Sequence, residues 1–394
     1  MKLARVFILI ASALATLTVS SVGADAAQTH AGHSFAGHRF SPVIGQVYVN
    51  DNTTPVNTIA AFNRHADGSL TSLPGSPFSI GGAGTGTGIG SQGALQESAD
   101  GRYLLAVDAG SSEISVLRIR PDGGLSPVPG GPVSSDGKEP VSIAINRGLV
   151  YVANAGAGAG ASNYTGFTLD FAGRLRALAG STFTLPEGST PGDVLFNRWG
   201  TSLVGVRVAT SEIDSFAVGP EGLLTPAPES PLAAQGPGPF GSEFSPVNPT
   251  QLFVSNAHGG AEAGSVSAFS VAGNGALSSI GSSPFKDSQT APCWVEISHD
   301  GRYLFAVNTV SGSISRYAIA WNGSLELLGS TLLKASTGKP EDARLDPDGD
   351  TLWVLEAGGL EVAGLSVHHG ELSELASSPA PLPAGAAPFG IVVT

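Results

Sequence analysis

Residues Ser98–Asp108 read SADGRYLLAVD, and residues Ser298–Asn308 read SHDGRYLFAVN. Both stretches are a turn followed by an apolar strand that ends in Asp or Asn. Five further strands of this kind are VYVND, LVYVAN, SLVGVR, LFVSN and LWVLE, at residues 47–51, 149–154, 202–207, 252–256 and 352–356. From the second repeat onward their last residues are 46 to 53 positions apart. A strand-rich repeat of this period is typical of propeller blades.

Each repeat contains four strand-like segments. In the sixth repeat these are APCWVEIS, YLFAVN, SISRYAIA and LELLGSTL, separated by turns. Asp-Gly in the first turn provides the positive φ that a tight hairpin needs. The last turn has glycine, followed after one residue by leucine, in every repeat. We therefore predict an all-β fold, a seven-bladed β-propeller with four-stranded antiparallel blades.

The two ends of the chain are predicted to complete one blade. The first repeat begins with a second strand, VYVND, and the chain ends with APFGIVVT, which matches first strands such as EPVSIAI. The C-terminal segment would then supply the innermost strand and the N-terminal segment the other three. Pairing the ends in this way removes a free sheet edge from the ring. The predicted propeller is a single domain over residues 45–394.

The first 26 residues have the features of a secretory signal peptide. Lys2 and Arg5 lie before an apolar run that begins at Val6. Ala24-Asp25-Ala26 then fits an A-x-A cleavage site. A transmembrane anchor is the alternative, but the apolar run is short for one. We expect a secreted or extracytoplasmic protein with a signal peptide over 1–26, a flexible linker over 27–44 and no membrane span after cleavage. Whether the histidines of that linker bind a metal is left open.

Charge and cysteine content narrow the possible partners. The net charge is −13 without a basic cluster, which disfavours nucleic acid and anionic lipid surfaces. Cys293 is the single cysteine, so no internal disulfide can form, and its apolar neighbours predict a buried thiol. The expected partner is a small-molecule ligand or a surface protein, and the expected state is a monomer.

Several of these segments resemble the lactonase-type seven-bladed propellers, also called YVTN-repeat proteins. LVYVAN, LFVSN, YLFAVN, the DGRYL turn and the DGSL/GSPF elements over Gly68–Phe78 and Gly281–Phe285 carry the resemblance. It extends over nearly all of residues 45–394. The family includes bacterial 6-phosphogluconolactonases and fungal carboxymuconate cyclases. The resemblance therefore implies a carboxylic-ester hydrolase acting on a sugar-derived or other small lactone.

The catalytic residues that this resemblance implies are not found at the matching positions. The family places an Arg and a His at the start of an innermost strand, in a PRHxxF-like stretch, and a Glu just after a second strand. Here the fifth repeat reads PFGSEF, with Phe240 and Gly241 at the Arg and His positions. Ala257 follows Asn256 where the Glu would stand.

Other polar residues could still form a site. In a propeller the innermost strands line a channel, and the loops before the first strands and after the second strands meet at one mouth, where we expect a ligand. A carboxylate or imidazole there would activate water, and a guanidinium would stabilise the oxyanion. The candidate catalytic residues are Glu243, Glu296, His258, Arg207 and Arg344. The candidate substrate-binding residues are Asp108, Asp193, Asp342 and Glu356. The competing interpretation is that these charges hydrate the channel or pair with each other.

No cofactor is expected, with one alternative left open. Asp108, Glu356 and strand-end Asn carbonyls are oxygen ligands that calcium accepts at a channel mouth. Asn at a strand end, however, usually bonds its own turn. The glycine-rich stretch GGAGTGTGIGSQG at 81–93 lacks the phosphate-loop pattern and is interpreted as a flexible loop between blades.

Three functions are consistent with these patterns. The first is a secreted hydrolase of the lactonase type. The second is a non-catalytic extracellular propeller that binds a ligand or protein on one face. The third is a surface scaffold without a small ligand.

Overall fold

The computed structural model describes residues 41–335 and 338–394. These residues form seven antiparallel sheets arranged as a propeller, which confirms the predicted fold. The predicted signal peptide and most of the predicted linker lie outside the described residues. The first strand begins at Val43, two residues before the predicted domain start. In the described part of the chain, no helix is long and apolar enough to cross a membrane.

The blades are numbered along the chain, and their strands are as follows. Blade 1 consists of β1 (Val43–Asn50), β2 (Thr58–His65), β3 (Leu70–Ser72), β4 (Phe78–Ser79) and the C-terminal β34 (Ile391–Val393). Blade 2 consists of β5 (Leu95–Glu97), β6 (Tyr103–Asp108), β7 (Glu113–Ile119), β8 (Leu125–Pro127) and β9 (Val133–Ser134). Blade 3 consists of β10 (Pro140–Asn146), β11 (Leu149–Ala155), β12 (Ser162–Leu169), β13 (Leu175–Ala177) and β14 (Phe183–Thr184). Blade 4 consists of β15 (Pro191–Phe196), β16 (Ser202–Arg207), β17 (Glu212–Val218), β18 (Leu224–Pro226) and β19 (Leu232–Ala233).

The remaining three blades complete the ring. Blade 5 consists of β20 (Pro239–Phe244), β21 (Gln251–Asn256), β22 (Ser265–Val271), β23 (Leu277–Ser279) and β24 (Phe285–Lys286). Blade 6 consists of β25 (Pro292–Ile297), β26 (Tyr303–Asn308), β27 (Ser313–Ile319) and β28 (Leu325–Leu332). Blade 7 consists of β29 (Pro340–Leu345), β30 (Thr351–Glu356), β31 (Glu361–His368), β32 (Glu371–Glu374) and β33 (Ala380–Pro381).

The chain termini close the ring as the sequence predicted. β34 pairs antiparallel with β1 and occupies the innermost position of blade 1, with Val47 opposite Val393. The four-strand prediction holds without change for blade 6 alone among the described blades. In the other six blades the outer segment is split into two short strands that both pair with the third strand. In blades 1 and 5 the split contains Pro77 and Pro284, which cannot donate to the ladder.

The repeated turn residues have the conformations that the sequence predicted. The glycine between the third and fourth strands has φ between 77° and 86° in every blade, at Gly68, Gly123, Gly173, Gly222, Gly275, Gly323 and Gly370. Other residues rarely adopt this backbone conformation, which explains why glycine recurs there. The DGR turns of blades 2 and 6 likewise have Gly101 and Gly301 at φ 68° and 70°.

Tyrosines on the second strands connect neighbouring blades. Tyr48, Tyr103 and Tyr151 are buried, and each hydroxyl donates to a carbonyl in the outer turn of the following blade, at distances of 2.7 to 3.1 Å. The aromatic ring fills the space between two sheets, and the hydroxyl finds a partner at the rim. The tyrosine of the DGRYL repeat therefore helps to hold one blade against the next.

Candidate functional site

The charged candidate residues of the innermost strands stand at two strand positions. Side chains two residues apart lie on the same face of a strand, so the third and fifth residues of each first strand share one face. Asp193 and Asp342 occupy the third position of β15 and β29. Glu243, Glu296 and Arg344 occupy the fifth position of β20, β25 and β29. The alignment of repeats in the sequence correctly predicted these registers.

Arg344 lies at the centre of a charged cluster. Its Nη1 is 2.9 Å from Glu296 Oε2 and 3.7 Å from Glu243 Oε2. Glu296 is further held by the backbone N–H of Leu345, which donates to its Oε1 at 3.1 Å. The side chains of Glu243 and Arg344 are 26% and 23% exposed, whereas that of Glu296 is 7% exposed. Glu296 therefore orients the guanidinium, and Glu243 remains accessible.

The environment of Glu243 favours its protonated form. Burial in the channel raises the pKa of Glu243 to about 8, the neighbouring Glu296 carboxylate adds to the rise, and Arg344 opposes it. Burial also raises the pKa of Asp342 to about 6, against the attraction of Arg344. Glu243 is thus an accessible carboxyl that changes protonation state near neutral pH, as acid–base catalysis requires.

Asp193 is held in place by two serines. Ser242 donates to its Oδ2 through both Oγ, at 2.6 Å, and the backbone N–H, at 2.9 Å. Ser142 Oγ donates to Oδ1 at 3.1 Å. Burial raises the pKa of Asp193 to about 7, although these hydrogen bonds oppose the rise. The three side chains come from blades 3, 4 and 5 and join those blades around the channel.

A cavity of about 110 Å³ lies beside these groups. Its lining residues are Gln92, Gln96, Ile143, Ala144, Ile145, Asp193, Val194, Leu195, Phe196, Ser242, Glu243 and Arg344. Exposure in the channel is greatest at the fifth strand position, where Glu243 and Arg344 stand, and is low at the third, where Asp193 is 2% exposed. The cavity therefore lies toward the C-terminal ends of the innermost strands.

The glycine-rich stretch between blades 1 and 2 enters the channel and blocks it. Gln92 is 3% exposed, and its Nε2 donates to the carbonyls of Ser242 and Val295 at 3.0 and 3.3 Å. Its Oε1 accepts from Val295 N at 3.1 Å, and its own N–H donates to Gly192 O at 3.0 Å. One side chain thus contacts blades 5 and 6, and its backbone contacts blade 4. The stretch does connect two blades, but Ser91 and Gln92 are buried in the channel, which the sequence interpretation as a flexible loop did not predict.

Aromatic side chains fill the rest of that end of the channel. Trp294 packs edge-on against Phe240, with ring centroids 5.2 Å apart, and lies 6.4 Å from Phe389. Trp294 Nε1 donates to Ser91 O at 2.7 Å. Ile89 belongs to the same buried cluster. We call Ile89, Gln92, Phe240, Trp294 and Phe389 the plug.

The plug corrects the expected position of the ligand-binding mouth. We expected it where the first strands begin and the second strands end, but the plug fills the channel there. Phe240 stands where the resembling family has its arginine, and it packs in this apolar seal. Gly241 stands at the histidine position, and a Cβ there would collide with Gln92 Oε1 and Cys293 O. The space of the family's implied catalytic pair is therefore occupied by packing.

Two candidate catalytic residues lie away from the cavity. Arg207 is 4% exposed, and its Nε donates to Asp214 Oδ2 at 2.7 Å within blade 4. His258 is exposed in the loop after β21, where its backbone N–H donates to Pro237 O. The structure therefore brings Glu243, Glu296 and Arg344 together but leaves these two outside.

The candidate substrate-binding residues divide in the same way. Asp193 lines the cavity. Asp342 lies close enough to Arg344 for its carboxylate to raise the pKa of the guanidinium. Asp108 is buried between Asn57 Nδ2 and Ser115 Oγ, at 3.0 and 2.6 Å. Glu356 is buried at the end of β30. Asp108 and Glu356 do not reach the cavity lining.

Residues 41–335 and 338–394 contain no group of three or more His, Cys, Asp or Glu side chains placed to hold a metal ion. Cys293 is buried as predicted, and burial raises the pKa of its thiol to about 12. A thiol so far from ionisation at neutral pH is a poor nucleophile.

Comparison with known proteins supports the resemblance stated from the sequence. Residues 242–389 match the family profile described as lactonase, 7-bladed beta-propeller. No curated protein sequence matches.

Solved structures with the same fold cover most of the chain. A candidate 6-phosphogluconolactonase from Bacteroides uniformis ATCC 8492 has a TM-score of 0.71 at 20% identity, covering 89% of this chain and 99% of its own. A protein from Lactobacillus plantarum has a TM-score of 0.70 at 18% identity, with coverages of 89% and 100%. The periplasmic gluconolactonase of Pseudomonas aeruginosa has a TM-score of 0.69 at 15% identity, with coverages of 89% and 98%. At these identities the likeness shows the fold alone.

Proposed function

We propose that this lactonase-like propeller is an exported enzyme that hydrolyses a small lactone in its channel cavity. The matching family profile and the predicted signal peptide support this proposal. The observation that carries it is the placement of Glu243 and Arg344 on the wall of one cavity, 3.7 Å apart and both partly exposed. An accessible carboxyl with a pKa of about 8 can act as the general base for ester hydrolysis by water, and a fixed positive charge can stabilise the oxyanion.

The proposed reaction uses Glu243 first as a base and then as an acid. Ionised Glu243 takes a proton from water while the water oxygen forms a bond to the lactone carbonyl carbon. The carbonyl π electrons move to the oxygen, and the Arg344 guanidinium stabilises the resulting oxyanion. When the carbonyl re-forms, the ring C–O bond breaks, and Glu243 returns its proton to the leaving alkoxide. The product is the open-chain hydroxy acid.

Glu243→Gln tests this role because it keeps the shape of the side chain and removes the titrating group. We expect kcat on a responsive lactone to fall by about 100-fold or more, which is the usual size of an acid–base contribution. The matched control is Glu326→Gln on the exposed face of β28, which should leave kcat unchanged. Wild-type activity should rise with pH up to about pH 8, because only ionised Glu243 can accept the proton. Equal activity of wild type and Glu243→Gln would refute the proposal.

Non-catalytic ligand binding is the second candidate function. The observation that favours it is the direct ion pair between Arg344 and Glu296 at 2.9 Å. This pair gives one nitrogen of the guanidinium a partner without a substrate. Under this alternative the protein hydrolyses no lactone, but a small polar ligand binds with saturation and Arg344→Ala weakens its binding. Calorimetry on the same panel of lactones distinguishes the two functions.

A further inference from the structure

We infer that the cavity accepts compact, uncharged lactones and rejects phosphorylated ones. This substrate class rests on the proposed function, and it differs from the substrate in the name of the Bacteroides uniformis neighbour. Two features of the described residues lead to the inference: the charge around the cavity and the hydrogen-bonding groups that line it.

The charge around the cavity is unfavourable for a phosphate. Arg344 is the one basic side chain among the lining residues, and Glu296 already holds it. Asp193 and Glu243 line the same space, and Asp342 and Glu296 lie close enough to act on Arg344. Proteins bind phosphate groups with several arginines, lysines or backbone N–H groups, and like charges placed close together repel strongly in a partly buried site. A phosphorylated lactone would meet a single guanidinium that is already paired with Glu296, beside the carboxyl groups of Asp193 and Asp342.

The groups that line the cavity suit hydroxyls instead. Glu243, with its pKa of about 8, is largely protonated at neutral pH and can donate a hydrogen bond. Gln96 contributes an amide from blade 2, which can both donate and accept. A neutral polyhydroxy or unsubstituted lactone can use these groups without bringing a charge into the channel.

The closed end of the channel limits how a substrate can lie. The plug closes the far side of the channel with buried Gln92 and Trp294, so a long substrate cannot extend through it. A substrate therefore enters at the end where Glu243 and Arg344 lie, beside the carboxyl groups.

Kinetics on a matched pair of substrates tests the inference. We would measure kcat/KM for δ-valerolactone, glucono-δ-lactone and its 6-phosphate with wild type and with Asp342→Asn. Asp342 is 1% exposed, and its Oδ1 accepts from Ala343 N at 3.0 Å, a bond that an asparagine carbonyl can keep. The control is Asp122→Asn, which removes the same charge from an outer turn where the side chain is 70% exposed.

The expected result is a wild-type kcat/KM at least about 100-fold higher for glucono-δ-lactone than for its phosphate, a difference of about 2.7 kcal/mol. Asp342→Asn should narrow this ratio by about tenfold, and Asp122→Asn should not change it. Equal or better hydrolysis of the phosphate would overturn the inference while leaving the proposed hydrolase function intact. An unchanged ratio in Asp342→Asn would overturn the electrostatic explanation. Failure of wild type to hydrolyse any of the three lactones would overturn the proposed function and this inference together.

Discussion

The two ends of the central channel are built from the same seven innermost strands and have opposite properties. At the end where these strands begin, Phe240, Trp294 and Phe389 form an apolar seal with Gln92 at its centre. Toward the other end, Glu243, Glu296 and Arg344 form a charged cluster beside a cavity. The difference depends on which residue stands at each strand position. The same strand framework therefore presents an apolar seal at one end and a charged cavity at the other.

Gln92 forms the boundary between the two ends. Its side chain bonds the backbone of Ser242 and Val295, which directly precede Glu243 and Glu296 in their strands. The residue that closes one end therefore also fixes the backbone that presents the two carboxyl groups at the other. Two substitutions, with the more costly one first, and a pH titration test this comparison.

Trp294→Ala should be the more costly of the two substitutions because it removes the largest side chain of the plug, which packs against both Phe240 and Phe389. Trp294 is 3% exposed, so its loss should lower the free energy of unfolding by about 3–5 kcal/mol. The matched control is Trp321→Ala, because Trp321 is 92% exposed in the outer turn of blade 6 and its loss should cost under about 0.5 kcal/mol. Denaturant unfolding of both variants measures the difference. Similar costs for the two tryptophans would show that the seal does not stabilise the ring.

Gln92→Ala should cost less stability than Trp294→Ala. It removes two donated hydrogen bonds and one accepted bond, and it leaves the buried backbone groups of Ser242 and Val295 without their partner. We expect the free energy of unfolding to fall by about 1–3 kcal/mol. Gln96→Ala is the control, because Gln96 is only partly buried. If Gln92→Ala is as stable as the control, the stretch over residues 81–93 does not bind the channel as we describe.

The third prediction is a dependence of stability on pH. Burial raises the pKa of Glu243 and Glu341 to about 8 and that of Asp193 to about 7. The folded state then binds protons more tightly than the unfolded chain, in which carboxyl pKa values are about 4. The free energy of unfolding should therefore fall as the pH rises from about 4 to about 8. Urea titrations across this range should show a shallower fall for Glu243→Gln, and a stability that rises with pH would contradict the assignment.

Most of the fold was predictable because it depends on local patterns that recur. The DGRYL turns specify the first hairpins of blades 2 and 6. The glycine of the outer turn and the apolar second strand recur in all seven blades and specify the ring. The matching of APFGIVVT to a first strand was enough to predict that β34 closes blade 1. The split outer strands were not predicted, because the pairing of two or three residues leaves little periodicity in a sequence.

The site was predictable only in part. Register alignment correctly placed Glu243, Glu296 and Arg344 on one ring, because strand position fixes which face a side chain occupies. It did not separate them from Arg207 and His258, which also follow or precede strands but find other partners. Gln92 and Ser242 were missed because neither belongs to a recognisable motif. Their importance comes from contacts between blades that are far apart in the chain.

The amino-acid pattern was sufficient to predict the blade count, the strand registers and the closure of the ring, because each follows from a repeated unit or from two end segments that together match one unit. The folded structure was needed to show which channel end is open and which charges meet. Arg344 and Glu296 are 48 residues apart, and Gln92 is 203 residues from Val295. A local sequence pattern cannot predict contacts between residues so far apart in the chain. These contacts form when seven blades are arranged around one axis and a glycine-rich segment folds into the space between them.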